Sequence, residues 1–417
     1  MAESPRRMHR GIAALIVIVL FLAVCYAAIS MLAPAPAVAA TPYSDLQGEG
    51  DAGEPMSLPS GPGAAGVAIV GIDDAVDSAG DPEPLPMASI VKLLTALVVL
   101  EEQPMDEGSE GAEIVMTSDD IGYYWDVAAV AGVVTDLREG QALTQRQLLE
   151  RSIVVSSGNA TLSLTRWAFG DQDAFLDAAA DWVARHSLES VHVADPSGLQ
   201  ADTVASAADM ARIGRIAYGS PVVREIMAQE RVEVMGETFL NTNPLLGEDG
   251  IHGGKTGTLF ASGSSLLVVA ERDVHGTPIT VVSVVVGIPG STSTAAASNS
   301  WLRQIFDRFT ERVVLPAGSA VGEYRAPWSE SPVTVSTAED LSAIAWPGVP
   351  VSVSVQLDEV DAGALLAWPG EASVSSFGSE HAVEVTLDGM VAPPDALWRL
   401  ANPQLAVSWI LDLVGAS

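Results

Sequence analysis

The stretch Pro86-Met-Ala-Ser-Ile-Val-Lys-Leu-Leu-Thr-Ala-Leu-Val-Val-Leu-Glu101 constrains the chain more than any other. Across residues 90–100 nearly every side chain is apolar around the whole circumference of a helix, which is the pattern of a helix enclosed within a domain. Lys92 stands in the middle of it. An ammonium in such surroundings is costly unless it is neutralised, paired or put to use. Ser89 lies three residues earlier, one turn towards the helix start, so its hydroxyl and the Lys92 amine can share a face. The helix start also turns unpaired backbone N–H groups and a partial positive charge towards whatever binds there.

Lysine usage points to the same place. The chain has 20 basic residues, of which only Lys92 and Lys255 are lysine and the other 18 are arginine. Unlike a guanidinium, a compact ammonium has a pKa that falls readily enough for it to act as a base.

A chain of 417 residues is long enough for two domains with cores of their own. A formal charge of −33 argues against nucleic acid or an anionic lipid surface as a partner, and is also the charge of an ordinary, well-solvated acidic surface. Cys25 is the only cysteine, so no disulfide within the chain, cysteine metal site or redox pair can form.

Along the chain, Arg6, Arg7 and Arg10 precede an uncharged run over residues 11–32 that is long enough to cross a bilayer. Residues 1–32 read as a signal or membrane anchor, with Ala37-Val-Ala-Ala40 offering small residues for cleavage. Residues 33–64, rich in Pro, Ala, Gly and acidic side chains, read as a flexible tether. Residues 65–312 alternate strand and helix patterns, with strands at both ends and helices between them. That order predicts an α/β (α+β) domain whose terminal segments share one antiparallel sheet. Short β-rich runs punctuated by Pro, Gly and Asp predict a small β-rich domain over 313–403. Residues 404–417 form a tail containing a helix expected to dock on that domain.

Three short patterns stand in order: Ser89-Ile-Val-Lys92, Ser157-Gly-Asn159 and Lys255-Thr-Gly257. Each is weak alone; their order, wide spacing and possession of both lysines make the set specific. With the loop Asp195-Pro-Ser-Gly-Leu199 and the text around Asp209-Met210 and residues 243–258, the chain resembles the serine D-alanyl-D-alanine carboxypeptidases, the low-molecular-mass penicillin-binding proteins. The likeness covers roughly residues 62–403 and implies a serine β-lactamase/DD-peptidase-like fold.

The resemblance implies an exported enzyme that removes the terminal D-alanine from peptidoglycan stem peptides and is acylated by β-lactams. Ser89 is then the nucleophile and Lys92 its base. Ser157 relays a proton to the leaving amine, while Asn159 orients Lys92 and holds the substrate amide. Lys255 supplies a second cation, and Thr256 and Thr258 receive the terminal carboxylate. Gly254 and Gly257 suit a strand that substrate backbone approaches closely. Backbone N–H groups of Ser89 and Thr258 form the oxyanion hole, each such donor being worth about 3 kcal/mol.

Two departures stand out. Ala160 follows Asn159 where the family commonly has an acid, and residues 291–300 hold no arginine to help bind carboxylate. A serine β-lactamase is the first alternative, and Glu237-Thr-Phe-Leu-Asn241 matches its E-x-x-L-N pattern, but just before Lys255 and therefore out of place. A catalytically silent exported wall-binding protein is the second. His186, His192, His252, His275 and His381 have no evident nucleophile partner, and no metal or nucleotide fingerprint occurs, so no cofactor is expected. Expected partners are the stem peptide, β-lactams and, through the N-terminal segment, the cytoplasmic membrane. The expected location is the extracytoplasmic face of that membrane or the cell wall.

Overall fold

Residues 64–69 are buried at every position, as a strand flanked on both sides must be. In the computed structural model, which describes residues 5–44, 46–48, 54–58, 62–73, 75–260, 262–363 and 368–415, this segment is an inner strand of a five-stranded sheet. The chain divides into two units, one built from Asp51–Thr310 with Ile344–Val349, the other from Met1–Gly50, Glu311–Ala343 and Pro350–Ser417.

In the first unit we label strands β1 (Ala64–Ile69) and β2 (Val76–Gly80), helices α1 (Val91–Glu102), α2 (Gly158–Phe169) and α3 (Ala207–Gly219), strands β3 (Ile251–Leu259), β4 (Gly263–Val274) and β5 (Thr277–Ile288), and helix α4 (Ser291–Asp307). The sheet runs β3-β4-β5-β1-β2 and is antiparallel throughout. The first strand thus pairs with the last, as strands at both ends of the region predict. Val282, Val284 and Val286 share one core with α1 and α3. Because side chains alternate across a sheet, the other face of β5 is left for α4. There Trp301 is fully buried and donates from Nε1 to Gly66 O at 3.2 Å. Strand β3 is at the sheet edge, so its outer backbone groups are not used by a neighbouring strand. Helix α4 includes the small polar run 291–300 as well as the apolar residues from Trp301 onward.

Residues 344–349 belong with this unit rather than with the 313–403 domain. Trp346 is buried against Phe309, ring centroids 4.7 Å apart, with the Arg308 guanidinium 5.4 Å from its ring.

The second unit corrects the expectation of a flexible tether over 33–64. Its seven-stranded sheet has Ala40–Pro42 at one edge and Gln47–Gly48 at the other, paired with Ala320–Tyr324 and Val351–Leu357. Val38 bridges to Val360 and is 4% exposed. Composition misled here because strand pairing uses backbone groups, and an edge tolerates Pro42, which has no N–H to donate. Residues 45, 49–53 and 59–61 of that stretch lie outside the described residues, as do 1–4, 74, 261, 364–367, 416 and 417.

The closing helix Pro403–Leu413 also departs from expectation. It packs along the N-terminal helix Pro5–Leu32, and Ala406 is its one buried residue. Beside it, Arg399 Nη1 donates to Ala33 O at 2.5 Å and Ser30 O at 3.4 Å, satisfying carbonyls at the end of the long helix. Tyr26 Oη donates to Leu400 O at 2.7 Å.

Candidate active site

Ser89 sits in a single 3-10 turn, Ala88–Ile90, that runs straight into α1. Ala88 has φ +47°, a left-handed conformation that costs a residue with a Cβ on the order of 1–3 kcal/mol and occurs mainly where function over-determines the backbone. Two glycines make room for this turn. A Cβ on Gly198, whose φ is +74°, would stand 1.9 Å from Ala88 O; one on Gly257 would stand 3.1 Å from Ala88 Cβ and 3.3 Å from Ser89 N. A side chain at 257 would thus press on the nucleophile turn.

Lys92 is 1% exposed. Its Nζ donates to Ser89 Oγ at 2.8 Å and to Ser197 O at 2.5 Å. Burial in the α1 core lowers its pKa to about 7, against the smaller opposing pull of Asp195. That carboxylate organises the loop at the far side. Asp195 Oδ1 accepts from Ser197 N at 2.8 Å, Ser197 Oγ at 2.6 Å and Gly198 N at 2.8 Å, and Oδ2 accepts from Gln200 N at 2.9 Å. Thr95 Oγ1 ties the same loop to α1 through Pro196 O at 2.7 Å. The loop text is recognisable in the sequence; that it aims a carbonyl at Lys92 is visible only once folded.

Lys255, also 1% exposed, lies on β3. Its pKa is held well below the usual lysine value, first by burial and then by the charge of Lys92. The charge of one lysine therefore tells on Lys255, while desolvation accounts for the shift of Lys92. Lys255 Nζ donates to Ser156 Oγ at 2.8 Å and Thr256 O at 3.0 Å.

Here the second motif shifts by one residue. Ser156 and Gly158 line the cleft, and Ser156 has φ +69°. Ser157 and Asn159, the residues expected there, are fully buried away from it. Ser157 caps α2, accepting from Ala160 N at 3.4 Å, and bonds to Thr135 Oγ1 at 2.9 Å and to Asn159 Oδ1 at 2.7 Å. Asn159 grips the backbone of Thr135 at both ends, Oδ1 accepting from its N–H at 3.0 Å and Nδ2 donating to its carbonyl at 2.9 Å. Two serines in succession left the register open, and an N-cap serine is as ordinary a use of Ser-Gly-Asn as a catalytic one. With Ser156 and Gly158 facing the cleft, the residue that directly follows the motif is Asn159 rather than Ala160.

Thr256, Gly257 and Thr258 border the same cavity, which has a volume of about 910 Å³ and also takes in Ser89, Lys92 and Ser156. Thr256 Oγ1 bonds to Thr242 Oγ1 at 2.6 Å, and Thr258 Oγ1 to Ser264 Oγ at 3.4 Å. Glu237 is on an exposed hairpin with Arg231–Val234, and among the described residues lining the cavity none is acidic. His252 turns to Gly250 O at 3.1 Å and Tyr218 Oη at 3.3 Å.

A family profile described as D-alanyl-D-alanine carboxypeptidase matches residues 76–290, just over half of the chain and the span that holds every cleft residue from Ser89 to Thr258. The chain belongs to the D-alanyl-D-alanine carboxypeptidase family. Among curated members, it is 27% identical over 244 residues to D-alanyl-D-alanine carboxypeptidase DacD of Salmonella typhimurium, covering 57% of this chain and 61% of that one. It is 25% identical over 204 residues to a D-alanyl-D-alanine endopeptidase of Escherichia coli, covering 47% and 62%. The chain thus spans about three fifths of the length of these members. The fold is that of penicillin binding protein 5 from Haemophilus influenzae, with TM-score 0.56, 20% identity, and 82% of this chain and 99% of that one covered. A D-alanyl-D-alanine carboxypeptidase from Mycobacterium tuberculosis gives TM-score 0.52 at 23% identity over 61% of this chain and 96% of its own.

Proposed function

We propose that this member of the D-alanyl-D-alanine carboxypeptidase family removes the terminal D-alanine from peptidoglycan stem peptides through an acyl-enzyme on Ser89, and that β-lactams acylate the same residue. The observation that carries the reading is the 2.8 Å contact between Lys92 Nζ and Ser89 Oγ, with the amine buried and its pKa near 7. A neutral amine at that distance takes the hydroxyl proton as Oγ attacks the carbonyl carbon.

The substrate peptide lies along the outer edge of β3, whose backbone offers strand-like hydrogen bonds to an extended chain. The oxyanion forms against the backbone N–H groups of Ser89 and Thr258. As the carbon–nitrogen bond breaks, the departing amine takes a proton from the Ser156 hydroxyl, which Lys255 holds in place; the proton that Lys92 took from Ser89 then replaces it on Ser156, so that Lys92 is neutral again before water enters. Water then attacks the ester, Lys92 removes its proton, and Ser89 is regenerated. No carboxylate is required as a second base, which separates this reading from a serine β-lactamase.

The helix segment His9–Leu32 has a mean hydropathy of 3.1, and its residues 9–24 are exposed. With Arg6, Arg7 and Arg10 on the inner side it anchors the chain, or directs its export, so that the catalytic unit meets the cell wall.

The test is mass spectrometry of protein treated with a penicillin. An adduct on the peptide carrying Ser89, absent from Ser89→Ala together with D-alanine release, is the expected result. A folded protein that takes up no penicillin would remove the enzyme reading in favour of a wall-binding role.

A further inference from the structure

Around the reacting bond the cavity wall is almost without charge. Among the described residues that line it, Lys92 is the only ionisable side chain. Lys255 stands behind Ser156, and both amines already donate to two protein oxygens each. The part of the wall reached from Lys255-Thr-Gly257 is instead made of hydroxyls: Thr242, Thr256, Thr258, Ser264, Ser291 and Thr292. Hydroxyls donate and accept, so they satisfy an amide as completely as a carboxylate. A guanidinium, which would single out a carboxylate by a bidentate charged contact, is not there.

The cavity as a whole, including the walls around Ser89 and Lys92, measures about 910 Å³. Its rim carries Phe260, fully exposed beyond the end of β3.

Resting on the proposed enzyme reading, we infer that the subsite beyond the scissile bond does not select a free carboxylate. It accepts peptides in which the residue after the cut is blocked, as an amide or by a bond to a further residue. The chemistry is unchanged: the amine that leaves carries the blocked residue away with one proton, and water hydrolyses the Ser89 ester.

The experiment compares kcat/KM of the full-length protein for a peptide ending in D-Ala-D-Ala with a free carboxylate and for its C-terminal carboxamide, measuring release of D-alanine and D-alaninamide. A ratio below tenfold is expected; a preference of tenfold or more for the acid overturns the inference. Thr292→Arg is expected to raise that ratio at least tenfold, and an unchanged ratio would show that the wall is not where this carboxyl group sits. Should neither peptide turn over, adduct formation by a penicillin and by its methyl ester is read against the same tenfold limit. Absence of any Ser89 adduct removes the enzyme reading and this one with it, whereas an adduct with strong acid preference removes the subsite alone.

Discussion

Lys255 Nζ donates to Ser156 Oγ at 2.8 Å, while Ser157, the next residue, is turned into the protein to cap α2. One peptide bond separates a residue of the cleft from a residue of the core. The two serines should therefore fail in different ways. Ser156→Ala is expected to lower the rate of Ser89 acylation by about 10² or more, the usual contribution of a positioned proton donor, with little change in melting temperature. Ser157→Ala is expected to cost about 1–2 kcal/mol of stability through the lost cap and buried bonds, with acylation changed only a few-fold. Penicillin-labelling kinetics beside thermal melts separate the two, and the opposite pattern would restore the Ser157 register.

Acylation should follow the ionisation of Lys92. Its pKa of about 7 means the neutral, proton-accepting form predominates above that pH. The rate is expected to rise with pH and level off above about 7, and at pH 5 to be about one hundredth of the plateau. Stability carries the same sign. The folded amine loses its proton near 7, whereas the unfolded one keeps it up to the ordinary lysine value of 10.5, so the unfolded state binds more protons across that window. This group's contribution to stability therefore improves as pH rises from about 7 to 10.5. Denaturant midpoints of Lys92→Met should show a shallower slope across that range, together with loss of acylation.

Asp195 holds the loop that meets Lys92. Replacing it by Ala strands the N–H groups of Ser197, Gly198 and Gln200 and frees Ser197 O to drift from Lys92 Nζ. Asp195→Ala is expected to destabilise by at least about 2 kcal/mol, as loss of a buried charged acceptor does. The acylation rate should fall as well, even where denaturation curves show the protein fully folded.

Gly257 and Gly198 are predicted to differ in severity. Gly257→Ala brings a methyl to 3.1 Å from Met87 O and 3.3 Å from Ser89 N, distances that a shift of a few tenths of an ångström relieves. Activity should drop through displacement of Ser89, with the melting temperature almost kept. Gly198→Ala places a methyl 1.9 Å from Ala88 O in a left-handed backbone, and no local adjustment absorbs that. Its expected outcome is a large loss of soluble, cooperatively melting protein.

The chain's own text determined a good deal. An apolar helix with one lysine in it can only be enclosed, and an enclosed lysine has to be neutral or paired, so residues 89–102 announced both core and chemistry. Two lysines among arginines, and strands at both ends of one region, were legible for the same reason: they depend on residue type and on periodicity along the chain. The direction a side chain faces at a turn does not. Whether Ser156 or Ser157 meets Lys255 rests on the left-handed backbone at Ser156 and on Thr135, a residue more than 20 positions away, satisfying the other serine and Asn159. Long-range pairing likewise turned a stretch with the composition of a tether into both edges of a sheet, because backbone hydrogen bonds are indifferent to the side chains that composition counts.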